Sequence, residues 1–361
     1  MGFTPFIFDN RPGASERAYD LLNPNSDMIA LHMDFGVPWP EALANLPYSD
    51  AVEREIALRK KHMRPGQKVY LALNALNLKR NNMAAYWGGD WGEDWNETVD
   101  QMLRCERPGK WNDKSFDDPE AIEAYLNHCR RMIREFQPDY LAYGVEVNFL
   151  PMSNPTALPA YLRFNRQVYS VLKGEYPNLP LFLTFYIDHF REQREGAEPI
   201  LRELLQYSDY VAVSSYPYLA GYSAETLPGD WFDAIAALAP EKPFCIAETG
   251  FIAKPMPPQE RTPADPIAAA LDRRIYRAGS EEMQAAYLDR ILRDTQRLNG
   301  RFLAWFFVHD IDGFYRVAKD AETRDFLLTW RDSGLFDGQG NPRKGLDAWR
   351  NWLVKPFEPA K

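Results

Sequence analysis

Short apolar runs alternate with longer stretches of helical period along almost the whole chain. The short apolar runs at 4–10, 27–36, 68–77, 140–148, 180–188, 209–218, 243–251 and 301–310 read as candidate strands. Helical patterning fills 14–22, 50–63, 118–136, 158–176, 197–207, 229–239 and 280–298. Ser280 reads as an N-cap for the last of these, with Glu281 and Glu282 well placed against the helix dipole. Eight strands with helices between them predict an α/β fold, a closed parallel (β/α)8 TIM barrel. An open doubly wound sheet is the alternative. That fold usually carries a glycine-rich phosphate turn, and neither GxGxxG nor a Walker-type GxxxxGK motif occurs here.

The chain has 361 residues, more than the usual ~150 per domain, but α/β barrels with insertions exceed that as one unit. It shows no repeat, low-complexity tract or interdomain linker, so one barrel domain spanning 1–361 is expected. Long loops follow the third and seventh strands, and the Pro-rich 254–266 belongs to the second of these.

Hydrophobic residues make up 45% of the chain, enough for a sizeable core. The formal net charge of −9 argues against a basic nucleic-acid surface. No apolar run approaches a membrane span. The N-terminus lacks the n- and h-regions of a signal peptide and enters structure at once. A start placed after a removed signal fits that too, so a secreted or periplasmic location and a cytoplasmic one both stay open. Cys105, Cys129 and Cys245 form no disulfide framework and no CxxC pair, although a Cys105–Cys129 bridge stays open. The five histidines show no HxH or HExxH spacing, so no metal and no cofactor are expected. No GxSxG elbow supports a serine esterase.

In a parallel barrel, catalytic groups come from the C-terminal ends of the strands. Those ends are polar here: His32 and Asp34, Asn74 and Asn77, Glu146 and Asn148, Tyr186 and Asp188, Ser214 and Tyr216, Glu248, then Trp305 and His309. Strand alternation would put Gly144, Glu146 and Asn148 on one face and Val145 and Val147 on the other, so that Glu146 points into the barrel mouth. Glu248 repeats the pattern in "CIAETGF". Either glutamate alone could be a buried residue paired with Arg or Lys. Two at strand ends are the equipment of glycoside hydrolysis, and a retaining mechanism would set their carboxyl groups ~5 Å apart.

"GVEVN", "VSSYPY", "AETGF" and the Trp of the eighth strand, in that order, together resemble the clan of retaining (β/α)8 glycoside hydrolases. Within that clan the motif order is most similar to the endo-β-1,4-galactanase family, and the tail 334–349 resembles the last loop of many such enzymes. The resemblance implies Glu146 as general acid/base, Glu248 as nucleophile, Tyr216 beside the nucleophile and Trp305 as the floor of the sugar subsite. The clan usually carries Asn before the acid/base; here that position is Val145, with Asn148 as a possible substitute.

The flanking valines suggest that the ionised form of Glu146 is disfavoured. His32, Asp34, Asn74, Asn148, Tyr186 and His309 are candidates for binding substrate hydroxyls. In "AYWGGDWGEDW", Tyr86, Trp87, Trp91 and Trp95 could stack on sugar rings or pin the loop to the barrel, and Trp39 carries the same two readings. Trp91 is taken as a substrate contact. The expected partner is an oligo- or polysaccharide and the expected state a monomer. The alternative is a barrel that binds carbohydrate without cleaving it.

Overall fold

The computed structural model describes residues 1–6, 13–34, 36–88, 106–188, 190–191, 193–258, 276–318, 324 and 327–356. Eight parallel strands pair in chain order and the last closes on the first: β1 (Gly2–Phe3), β2 (Met28–His32), β3 (Lys68–Ala72), β4 (Tyr140–Gly144), β5 (Leu181–Tyr186), β6 (Val211–Ser215), β7 (Phe244–Thr249) and β8 (Leu303–Trp305). The closed barrel is the fold that the strand and helix pattern predicts. β1 is the exception in position: it lies at Gly2–Phe3, before the run at 4–10, of which 7–10 fall outside the described residues.

The strands are shorter than the apolar runs that announce them. β4 stops at Gly144, its pairing with β5 shifts register between Ala142 and Gly144, and the chain turns into a short 3-10 helix at Val147–Phe149. A Cβ on Gly144 would lie 2.7 Å from Leu183 Cδ2 and 2.8 Å from Val147 Cγ1, so any larger residue would force those side chains to shift.

Helices among the described residues include α1 (Ala14–Leu22), α2 (Trp39–Ala44), α3 (Asp50–His62), α4 (Pro119–Phe136), α5 (Leu158–Glu175), α6 (Arg194–Leu205), α7 (Glu281–Arg297) and α8 (Lys344–Leu353), with others at Leu150–Ser153 and Asp312–Val317. Ser49, Asp118 and Ser280 cap α3, α4 and α7 through their side chains. The helix expected over 229–239 is reduced to Asp233–Ala236. No helix among the described residues is long and apolar enough to cross a membrane.

Contacts group the chain into two compact units. The first comprises Met1–Ile29, Tyr186–Arg194 and Ala212–Lys361. Its core includes the tilted pair Phe3 and Trp349, 4.3 Å between centroids, and the Trp349 indole N–H donates to the Asn25 carbonyl. The second comprises Ala30–Phe185 and Glu195–Val211. There Tyr70, Phe182 and Tyr210 stack in series at 5.8 and 5.4 Å. In the same unit α2 packs on α4, with fully buried Trp39 stacked on Trp111 at 5.5 Å. Cys129 is a free, buried thiol on α4, and Cys105, the other half of the candidate bridge, lies outside the described residues.

Candidate active site

In the first unit the polar residues gather around Glu248, the penultimate residue of β7 and 8% exposed. The hydroxyl of buried Tyr216 donates to Glu248 Oε1. Tyr216 follows β6 at the point where the chain leaves the sheet, with φ −131° and ψ 68°. Its backbone N–H donates to Asp188 Oδ2 at 2.6 Å, and the Ser215 hydroxyl donates to Asp188 Oδ1 at 2.6 Å. Phe306 and Trp330, both partly exposed, present their rings edge-on to Tyr216, each with centroids at 6.2 Å. A carboxylate with a phenol donor and neighbouring partly exposed aromatic faces can meet a sugar ring both as a charge and as an apolar platform.

Trp305 does not belong to that platform. Its side chain is fully buried and its indole N–H donates to the Ser333 carbonyl at 2.9 Å. The next residue, Phe306, is the one beside Tyr216. His309 is buried, and its Nδ1 donates to the Asp310 carbonyl at 2.7 Å. Tyr186, the last residue of β5, is 6% exposed.

In the second unit the centre is Glu146. It is not a strand residue: its backbone sits in the left-handed region at φ 50° and ψ 42°, two residues past the end of β4. Strand alternation therefore does not aim its side chain. Two side chains seat it instead. The Asn74 carboxamide takes both hydrogen-bonding groups of Val145, donating to its carbonyl and accepting from its N–H at 3.2 Å each. The Thr184 hydroxyl accepts from the Glu146 N–H at 2.8 Å. Asn74 thus acts on the backbone that carries Glu146. Val145 and Val147 are fully buried, and Asn148 is partly exposed in the 3-10 turn.

Arg80 is the residue that sequence reasoning missed. Its guanidinium, 6% exposed, lies 3.5 Å from Glu146 Oε2 and 3.3 Å from Asp34 Oδ2. Like Glu146 it holds a left-handed backbone, at φ 52°. Arg80 Nη1 donates to the Asn77 carbonyl, while the Asn77 side chain accepts from the Asn81 and Asn82 N–H groups. The Arg80 carbonyl in turn accepts from the Ser153 hydroxyl. Strained backbone held by surrounding bonds is a mark of functional sites. A guanidinium at this distance favours the ionised carboxylate. That opposes the expectation, built on two flanking valines, of a Glu146 that readily keeps its proton. The available signal was the Asn-rich turn "NLKRNN", where a left-handed residue is unsurprising. His32 is buried in this unit, edge-on to Tyr70 at 5.8 Å.

The aromatic segment after β3 divides. Trp39 donates from its indole N–H to the Ala84 carbonyl at 2.9 Å, Trp87 is 2% exposed, and the Tyr86 hydroxyl donates to Glu41 at 2.7 Å. These three pack. Trp91 and Trp95 lie outside the described residues.

No family model matches the chain, and no curated protein does. Solved structures do, across the whole barrel. The Ignisphaera aggregans GH53 catalytic domain aligns with a TM-score of 0.57 at 18% identity, covering 94% of this chain and 88% of that one. A GH5 subfamily 18 protein from Streptomyces cattleya, in complex with Manβ1-4GlcNAc, gives 0.63 at 15% identity, covering 100% and 83%. The exo-β-1,4-mannosidase Op5Man5 from an Opitutaceae bacterium gives 0.61 at 15% identity, covering 98% of this chain and 58% of that one. The neighbours are clan GH-A glycoside hydrolases, and the likeness shows that this chain shares their TIM-barrel fold.

Proposed function

We propose that the chain is a single-domain retaining glycoside hydrolase that cleaves β-linked glycans by double displacement, with Glu248 as nucleophile and Glu146 as general acid/base. The observation that carries the reading is the Tyr216–Glu248 hydrogen bond at the end of the seventh strand. A phenol donating to a buried carboxylate favours its ionised form, which a nucleophile at an anomeric carbon needs. Phe306 and Trp330 supply the apolar floor that the eighth-strand tryptophan was expected to give. Glu146, just past the fourth strand, protonates the leaving oxygen and then deprotonates water. His32, Asp34, Asn148, Tyr186 and His309 are proposed to bind sugar hydroxyls, and Trp91 to stack on a sugar ring. β-linked substrates are also named for structural neighbours of the chain, among them the exo-β-1,4-mannosidase.

Arg80 favours a second reading. An acid catalyst must hold a proton, and a cation 3.5 Å away works against it. A barrel that binds carbohydrate without hydrolysing it would tolerate that pairing.

Reducing-end release from a panel of β-linked glycans separates the two. Glycan binding without release leaves the second reading standing. If release is found, a 2-deoxy-2-fluoro glycoside of the same sugar should label Glu248, read by mass spectrometry of peptides. Label at Glu146 would exchange the roles, and product of inverted configuration by NMR would exclude double displacement. Glu146→Ala should keep the first step on substrates with good leaving groups and be rescued by azide. Glu248→Ala should lose the retaining reaction with every leaving group.

A further inference from the structure

Asp188 lies two residues beyond the end of β5 and its side chain is fully buried. A carboxylate is costly to bury, and a neutral side chain could fill the space at lower cost. What this one does with its charge is specific. One oxygen accepts the Ser215 hydroxyl and the other accepts the Tyr216 backbone N–H, each at 2.6 Å. The Tyr216 peptide is the hinge from which the phenol reaches Glu248. Ser215 is fixed from its other side: its hydroxyl accepts the Trp231 indole N–H at 3.1 Å, and its carbonyl accepts the Thr249 hydroxyl at 2.7 Å. Thr249 is the neighbour of Glu248 in β7. The chain of bonds therefore runs from Asp188 through Ser215 and Tyr216 to Glu248.

We infer that Asp188 is a positioning residue for the proposed nucleophile: its carboxylate fixes the Tyr216 peptide and so sets the phenol that donates to Glu248. Charge-assisted bonds to a peptide N–H are short and directional, which suits this task better than packing alone. The inference rests on the reading of Glu248 as nucleophile.

The test is a double-mutant cycle between Asp188→Asn and Tyr216→Phe, read on the glycan that the panel identifies. An asparagine keeps the shape but loses the charge and one acceptor. Alone it should lower kcat about 10- to 100-fold with KM within about 3-fold. In the Tyr216→Phe background it should add less than about 3-fold, because its effect passes through the phenol. An equal loss in both backgrounds, or no loss in either, overturns the inference. Ser215→Ala removes one tie and leaves the Tyr216 N–H bond, and should cost less than about 3-fold; a loss as large as that of Asp188→Asn would show general packing and overturn it too. If Asp188→Asn does not fold, Asp188→Ser goes through the same cycle under the same criteria. If wild type cleaves no glycan and takes no label, the functional reading fails by itself. The crystal structure of Asp188→Asn then decides: a Tyr216 hydroxyl moved away from Glu248 supports the inference, and an unmoved one overturns it.

Discussion

Replacing Arg80 with Met removes the cation that Asp34 and Glu146 share. The methionine matches the aliphatic stem, so the change is mainly one of charge. Breaking a buried pair by deleting one partner typically costs about 3–5 kcal/mol. Here the side chains of Arg80, Asp34 and Glu146 are 6%, 10% and 13% exposed, so some water reaches the carboxylates left behind. The N···O separations of 3.3 and 3.5 Å also exceed the ~2.8 Å of the strongest charge-assisted bonds. Both points select the lower end, about 3 kcal/mol. Unfolding entropy of about 2.1 cal/mol/K per residue over 361 residues is ~0.76 kcal/mol/K, so the melting temperature should fall by ~4 °C. Arg80→Lys keeps a point charge but not the fork that spans two carboxylates, and should recover part of the loss. The assay is differential scanning calorimetry. A melting temperature within ~1 °C of wild type would refute the argument, and the triad would then rank with ion pairs that contribute almost nothing.

Three further outcomes are expected. Burial pushes the His128 imidazole, whose Nδ1 bonds the Tyr48 hydroxyl, down to about 3. Its folded pKa lies below the unfolded value, so the unfolded chain binds the extra proton and stability is lost as pH falls from ~6.5 towards ~3, by up to ~4 kcal/mol. His128→Phe should flatten the acid limb of the urea midpoint against pH; an unchanged slope would remove His128 from the account. Phe306→Ala and Trp330→Ala should weaken glycan affinity, measured by calorimetry, at modest cost in stability. Trp305→Ala, at a fully buried position, should instead cost about 3–5 kcal/mol in denaturant titration. The opposite pattern would restore Trp305 as the platform. Trp91→Ala should weaken glycan binding with the melting temperature within a few degrees, whereas Trp39→Ala should lower the melting temperature and spare affinity. A stability loss for Trp91 with unchanged affinity would assign it to packing.

Much of the fold was written locally. α1, α4 and α7 lie within a residue of their periodic segments because a helix is determined by spacing and caps within a few positions. Ser280 was legible as an N-cap for the same reason and accepts the Met283 N–H at 3.1 Å. The barrel followed from the order of eight apolar runs, which needs no knowledge of where each strand ends. Glu146 and Glu248 stood out as charges in apolar surroundings, and Tyr216 stood out through a motif. What tertiary structure alone decided is where those side chains sit and what meets them. The run 140–148 is apolar throughout, but β4 ends at Gly144, where the close approach of Leu183 and the pairing with Asn74 turn the chain into a left-handed Glu146. Period-two alternation applies only while a strand lasts, so it could not aim this residue. Phe306 follows Trp305, the last residue of β8, so strand alternation does not aim it either, and "AWFFVH" does not tell which of its aromatic residues meets Tyr216. Arg80 and Asp188 act through partners on other strands or loops, at distances along the chain that no local pattern encodes. Periodicity reports which side chains avoid water; which charges face one another is set by the folding of the chain in three dimensions.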